Sequence, residues 1–244
     1  MLCRGAEPVC EETPPLSRKH GWPAQAPDKV NCAPFIVPQA ASMPGSILYI
    51  HGLNSSPASQ KASQMISLMQ RIGFADQLRV PELHHHPRQA MAQLQAALAE
   101  LDAPLLVGSS LGGYYATHLA ERHGLKALLI NPVVNPHRLF DGRLGMQTNH
   151  YTGHRWQLTH DHVQALAELE VPAPRAPLRY QVWLQTGDQT LDYRQAEAFY
   201  QGCTLRIQPG GDHGYQGFAE QLPALLEFAG VQAERYQGID FSAL

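Results

Sequence analysis

The chain is short of charge: 16% of its 244 residues are Asp, Glu, Lys or Arg, and they leave a net charge of −3. Without a basic excess there is no long-range attraction to a phosphate backbone or an anionic lipid surface, so nucleic acid is not an expected partner. No apolar run approaches the ~18 residues of a membrane span. The first residues carry Arg4 and then Glu7, Glu11 and Glu12 with no apolar stretch behind them, which does not read as a secretory signal. Cysteine is scarce too. Cys3, Cys10 and Cys32 crowd the first segment and Cys203 stands alone later, a spacing that fits neither a zinc site nor a disulfide framework. A reducing cytoplasm fits this usage, and no metal is expected.

Proline, by contrast, is abundant at the start. Pro8, Pro14, Pro15, Pro23, Pro27, Pro34, Pro38 and Pro44 interrupt residues 1–44. Proline removes backbone donors and restricts its neighbour, so this stretch is expected to be a disordered extension. Compact order is expected from Ser46, with Met43 as the natural start.

From Ser46 apolar strands alternate with helical patterns, the mark of a parallel sheet covered on both faces. ILYI (47–50), LRVP (78–81), PLLVGS (104–109), KALLINP (126–132), RYQVWLQTG (179–187) and CTLRIQ (203–208) make about six strands. A helix is expected after Ser56-Pro57, read as N-cap and N1, with Ala62, Met65, Ile66 and Met69 on one face. Others are expected over 87–101, 114–123, 192–200 and 216–229. The main domain then covers 45–232 and a tail 233–244. Residues 135–177 break the rhythm as a lid-like insertion containing one helix, 159–170. Such insertions after a sheet strand are more often functional than idle.

The chemistry is expected at GSSLG, residues 108–112. It fits G-x-S-x-G between a strand and a helix, the context of a nucleophile elbow, in which small residues two positions from the serine let strand and helix pass. Only Ser110 has glycine at both of those positions, so Ser110 and not Ser109 is the nucleophile candidate. The run has no P-loop lysine and no G-x-G-x-x-G.

A serine hydroxyl needs a base, and the base an orienting acid, in the chain order Ser, acid, His. His213 follows a late strand in GGDHGY. Asp188 follows the preceding strand, whereas Asp192 suits the start of the next helix and Asp212 a loop. At the first strand end, HGLN places the Leu53 amide to form an oxyanion hole with the Leu111 amide. His51, Asn54 and Tyr114 are further pocket candidates, with His51 read as structural rather than as a base. His84-His85-His86 reads as a solvated loop near the pocket rim. His150, His154, His160 and His162 read as surface or lid groups.

Residues 46–230 resemble small bacterial α/β-hydrolase esterases of the YqiA/YcfP type. The resemblance rests on LYIHGLNSSPASQKAS, VGSSLGGYYATHLAE, INPVVNP, YTGHRWQL, QTGDQTLDYRQA and GGDHGYQGF. It implies an α/β-hydrolase fold and a serine esterase acting on small acyl esters or thioesters, with Ser110, Asp188 and His213 as the triad and no metal or organic cofactor. ELHHHPRQ departs from the family's pattern. Acyl-CoA thioesterase or acyltransferase chemistry is compatible with the same triad, and a noncatalytic binding module is the alternative of another class. A peptidase is disfavoured, as are epoxide hydrolases and dehalogenases, which place aspartate where Ser110 stands. Oligomeric state has no signature in the sequence.

Overall fold

A computed structural model describes residues 45–244. The proline-rich extension, Met43 and three of the four cysteines lie outside the described residues.

Apolar strands too short to hide their own backbones pair side by side. β1 (Ile47–Ile50), β2 (Leu78–Arg79), β3 (Leu105–Ser109), β4 (Ala127–Ile130), β7 (Tyr180–Gln185) and β8 (Thr204–Gln208) form one six-stranded sheet in the order β2-β1-β3-β4-β7-β8. Every pairing is parallel. Alternate residues of each strand enter opposite cores, as the period of two requires. Ile47, Tyr49, Val107, Ile130 and Trp183 face α1 (Gln60–Arg71) and α7 (Phe218–Phe228). Leu48, Ile50, Leu106, Leu129 and Val182 face α2 (Pro87–Ala99) and α3 (Leu111–His123). This is the α/β-hydrolase fold with helices on both faces.

Local chemistry adjusts the expected boundaries. The helix after β1 starts at Gln60 with Ser59 as N-cap, not at Pro57. Ser56 closes a turn instead, its Oγ accepting from the Ala58 amide at 3.1 Å. The central helix begins at once after Ser110, which serves as its N-cap residue. Asp192 caps α6 (Tyr193–Phe199) by accepting from the Arg194 amide.

The insertion carries more structure than one helix. α4 (Pro136–Asp141) leads into an antiparallel hairpin, β5 (Gly145–Thr148) with β6 (Arg155–Leu158), and then α5 (His160–Ala167). The hairpin's period is visible in burial: Trp156 and Leu158 point inward while Arg155 and Gln157 are exposed. Among the described residues no helix is long and apolar enough to cross a membrane.

Candidate active site

Ser110 has φ 55° and ψ −120°, a conformation that costs a non-glycine residue of order 1–3 kcal/mol. The surroundings impose it. The Ser110 amide donates to the Ile130 carbonyl at 3.0 Å, and its own carbonyl accepts from the Gly113 and Val133 amides. The two flanking glycines are where strand and helix collide: a Cβ on Gly108 would overlap the Gly112 backbone, and one on Gly112 would overlap the Ile50 carbonyl. Ser109, by contrast, is buried, and its side chain pairs with Tyr49.

Ser110 Oγ lies 3.0 Å from His213 Nε2, and His213 Nδ1 lies 2.7 Å from Asp188 Oδ2. The carboxylate can only accept, so Nδ1 is the donor and Nε2 is left with a lone pair facing the hydroxyl. The other Asp188 oxygen accepts from the Thr190 and Leu191 amides at 2.8 and 2.9 Å. Burial acts to raise the Asp188 pKa, but the bonds from His213, Leu191 and Thr190 outweigh it and hold the carboxyl below its ordinary value. The acid's side chain is 2% exposed and the imidazole 23%, so the chain runs from a dry interior to an accessible edge.

The loop carrying His213 is fastened from below by groups that sequence reasoning missed. Asn131, at the end of β4, donates through Nδ2 to the Asp212 and His213 carbonyls at 3.0 and 3.3 Å. Its Oδ1 accepts from the Gln185 amide. Gln185 in turn accepts at Oε1 from the Asp212 and Gln216 amides. Lys61 donates to the Gly214 carbonyl at 2.6 Å, and burial, opposed by Asp212 and Asp188, lowers its pKa to about 8. The signal available for the first two was a polar residue ending an otherwise apolar buried strand, ALLIN and VWLQ.

Gly52 abuts Ser110: a Cβ there would stand 3.1 Å from Ser110 Cβ. This brings the loop with Leu53 against Ser110, while the Leu111 amide heads α3, where no carbonyl of the preceding helical turn can take it. His51 is buried. Its Nδ1 donates to the Gly52 carbonyl at 3.0 Å and its Nε2 accepts from the Leu83 amide at 3.3 Å. Burial, only partly offset by the neighbouring Gly52 carbonyl, lowers its pKa. It is a neutral brace between two loops, and it also borders a cavity.

That cavity, of about 430 Å³, opens beside Leu53 and Leu111, between the β1–α1 loop, the β2–α2 loop and the hairpin. Asn54 lines it, but its side chain is engaged: Oδ1 accepts from Trp156 Nε1 at 2.8 Å and Nδ2 donates to Gln147 Oε1 at 3.3 Å. Tyr114 does not line it. The Tyr114 hydroxyl donates to the Leu166 carbonyl at 2.7 Å, and the ring borders a separate, far smaller cavity; Tyr115, one residue on and turned by about 100° on the helix, is the pocket tyrosine.

The histidine loop is half-buried rather than fully solvated, and His84 and His85 line the cavity. His85 stacks on Trp156 with ring centroids 4.6 Å apart and 12° between planes, and touches His84, His154 and His162. His162 is buried rather than a surface group, whereas His150, His154 and His160 are exposed. Among the described residues no group of three or more His, Cys, Asp or Glu is arranged for a metal ion.

Residues 46–230 match the profile of the uncharacterised protein family UPF0227. The chain belongs to that family, the YcfP/YqiA type. A UPF0227 protein of Shewanella woodyi is 25% identical over 193 residues, covering 75% of this chain and 98% of the relative. One from Shewanella baltica is 30% identical over 105 residues, covering 40% and 56%. Among solved structures, mouse α/β hydrolase domain-containing protein 10 superposes with TM-score 0.61 at 13% identity, over 76% of this chain and 89% of that one. Est1E from Butyrivibrio proteoclasticus, with ferulic acid bound, gives TM-score 0.58 at 16% identity over 77% and 89%. These likenesses establish the fold.

Proposed function

We propose that the protein is a serine esterase that cleaves acyl esters or thioesters through an acyl-enzyme. The observation that carries this reading is the unbroken hydrogen-bonded chain from Ser110 Oγ through His213 to Asp188, with its strained serine at the C-terminal edge of the sheet.

Ser110 Oγ attacks the acyl carbonyl while His213 Nε2 takes its proton. Asp188 holds the imidazole in the Nδ1–H tautomer and stabilises the imidazolium that forms. The Leu53 and Leu111 amides donate to the oxyanion of the tetrahedral intermediate, an effect typically worth ~10²–10³-fold per donor. Collapse of the intermediate breaks the ester bond, and His213 delivers its proton to the leaving oxygen or sulfur. Water then attacks the acyl-enzyme with the same imidazole as base, releasing the acid and restoring Ser110. No step calls for a metal or an organic cofactor, and the low cysteine content suits cytoplasmic work.

A fluorophosphonate probe followed by intact mass measurement tests it. One adduct on the wild type and none on Ser110→Ala is the expected result. Labelling that persists in Ser110→Ala, or a folded wild type that takes no adduct and hydrolyses no activated ester, would overturn the reading in favour of a binding module on a hydrolase scaffold.

A further inference from the structure

The cavity beside Ser110 is bordered by Leu53 and Leu111 but by none of Ser110, Asp188 or His213. If the protein is the esterase proposed above, the leaving group lies next to His213, which protonates it. A group extending past the Leu53 and Leu111 amides into the cavity is therefore the acyl chain. Resting on that esterase reading, we propose that this cavity is an acyl subsite for a compact, uncharged chain that carries a hydroxyl group.

The charge of the lining comes first. No lysine or arginine borders the cavity, while the Glu82 carboxylate stands at its exposed rim. The two imidazoles of the β2–α2 loop that border it add no cation at neutral pH: burial and the neighbouring histidines lower the His84 pKa and bring that of His85 to about 4. An anionic chain would meet the carboxylate with no lysine or arginine to offset it.

The hydrogen bonds then fix which ring nitrogens remain. His84 Nδ1 accepts from the His86 amide at 2.9 Å, so the proton of the neutral ring sits on Nε2. The Thr159 amide donates to His162 Nδ1, which puts the His162 proton on Nε2, and that nitrogen lies 3.2 Å from His85 Nδ1. His85 Nδ1 is thus an acceptor, and its own proton is on Nε2. Gln93 spends its oxygen on the His84 amide at 2.7 Å and keeps its NH₂ group.

The capacity left around the cavity is a set of N–H donors from His84, His85 and Gln93 together with the Ser55 and Tyr115 hydroxyls, the His154 ring and the Glu82 carboxylate as acceptor. A hydroxyl, which donates and accepts at once, matches both kinds. An alkyl chain would strip water from these groups and return nothing, which is how a polar site rejects the analogue lacking the hydroxyl. Tyr115, Leu83 and Trp156 supply apolar surface for the methylenes between carbonyl and hydroxyl.

Three methyl esters with chains of equal length separate the possibilities: 6-hydroxyhexanoate, heptanoate and monomethyl adipate. Their kcat/KM values are measured on wild type, Glu82→Lys and His85→Phe, with 4-nitrophenyl acetate and fluorophosphonate labelling as references that do not reach the cavity. Wild type is expected to favour the hydroxy ester over heptanoate about tenfold, with the adipate half-ester poorest. Glu82→Lys should raise the adipate half-ester relative to the hydroxy ester about tenfold, and His85→Phe, which keeps the ring on Trp156, should shrink the hydroxyl preference several-fold. Heptanoate favoured by the wild type, or ratios indifferent to both substitutions, would overturn the subsite while labelling and acetate turnover persist. Absence of labelling and acetate turnover would instead overturn the esterase reading, and the subsite with it.

Discussion

Trp156 donates its indole N–H to the side-chain oxygen of Asn54 at 2.8 Å, joining the insertion hairpin to the residue that follows Leu53. Three further bonds join the same two segments: Asn54 Nδ2 donates to Gln147, the His150 amide to the Asn54 carbonyl, and Asn149 Nδ2 to the Ser55 carbonyl. The insertion therefore does more than roof the cavity. It holds the loop whose Leu53 amide is proposed to meet the oxyanion, and it holds it at Asn54, where φ is 54°.

Trp156→Phe removes the indole donor and keeps much of the ring area stacked on His85. With the Asn54 oxygen left unpaired, stability should fall by about 1–3 kcal/mol. If the hairpin positions the Leu53 amide, phosphonylation of Ser110 should also slow by about tenfold, part of the ~10²–10³-fold value of one such donor. Thermal unfolding and labelling kinetics on the same preparation decide. A lower Tm with an unaltered labelling rate would make the hairpin a brace and nothing else.

The strain at Ser110 predicts opposite effects on stability and activity. Glycine accepts the φ of 55° without a Cβ penalty, so Ser110→Gly should stabilise the fold by about 1 kcal/mol. That corresponds to a Tm rise of roughly 2–4 °C for a domain of this size. Esterase activity and labelling should vanish. A Tm that stays level or falls would mean that the serine side chain contributes enough local bonding to cancel the relief.

Strand order and the two-faced core follow from runs such as ILYI and ALLI, because a strand buried on both faces must be apolar throughout. Ser110, Asp188 and His213 were legible because the fold places strand ends at one edge, so chain order alone brings the three together. Their supports were not. Asn131 and Gln185 each end a strand as one polar residue, and nothing local says that their amides reach Asp212, His213 and Gln216, which lie 27 to 82 residues away. The tyrosines show the same limit: the helix pattern puts both Tyr114 and Tyr115 near Ser110, but only the position of α5 decides which ring meets Leu166 and which the cavity. The histidine run misled for a similar reason. A loop of three imidazoles looks solvated until Trp156, contributed by the hairpin 71 residues later, stacks on its middle member.

Gln185→Met preserves volume while removing the acceptor for the Asp212 and Gln216 amides. Each orphaned donor costs about 1–3 kcal/mol where it is shielded from water. The His213 loop should loosen, so kcat is expected to drop with KM nearly unchanged, since Gln185 does not border the cavity. Steady-state kinetics on a short-chain activated ester measure the split. A rise in KM with kcat preserved would show that Gln185 serves substrate binding rather than the placement of the imidazole.

Acid should weaken the insertion before it reaches Asp188. Burial and the surrounding histidines lower the His85 pKa from 6.5 to about 4, and those of His84 and His162 also fall, chiefly by burial. The unfolded chain then binds more protons than the folded one between these values, so stability decreases as pH falls from about 6.5 toward 4. His86, His154, Asp161 and Arg88 face the same cluster, and the Asp161 carboxylate holds His86 at 2.7 Å and Arg88 at 2.8 Å, tying the loop to α5. Asp188 titrates later, because its folded pKa lies below 3.8 and its contribution is lost only as pH falls through that lower value. Thermal unfolding of the wild type should therefore show Tm level above pH 7 and declining between pH 6.5 and 4. His85→Phe should give a shallower decline over that window. An equal slope in both proteins would place the acid sensitivity elsewhere than in the stack on Trp156.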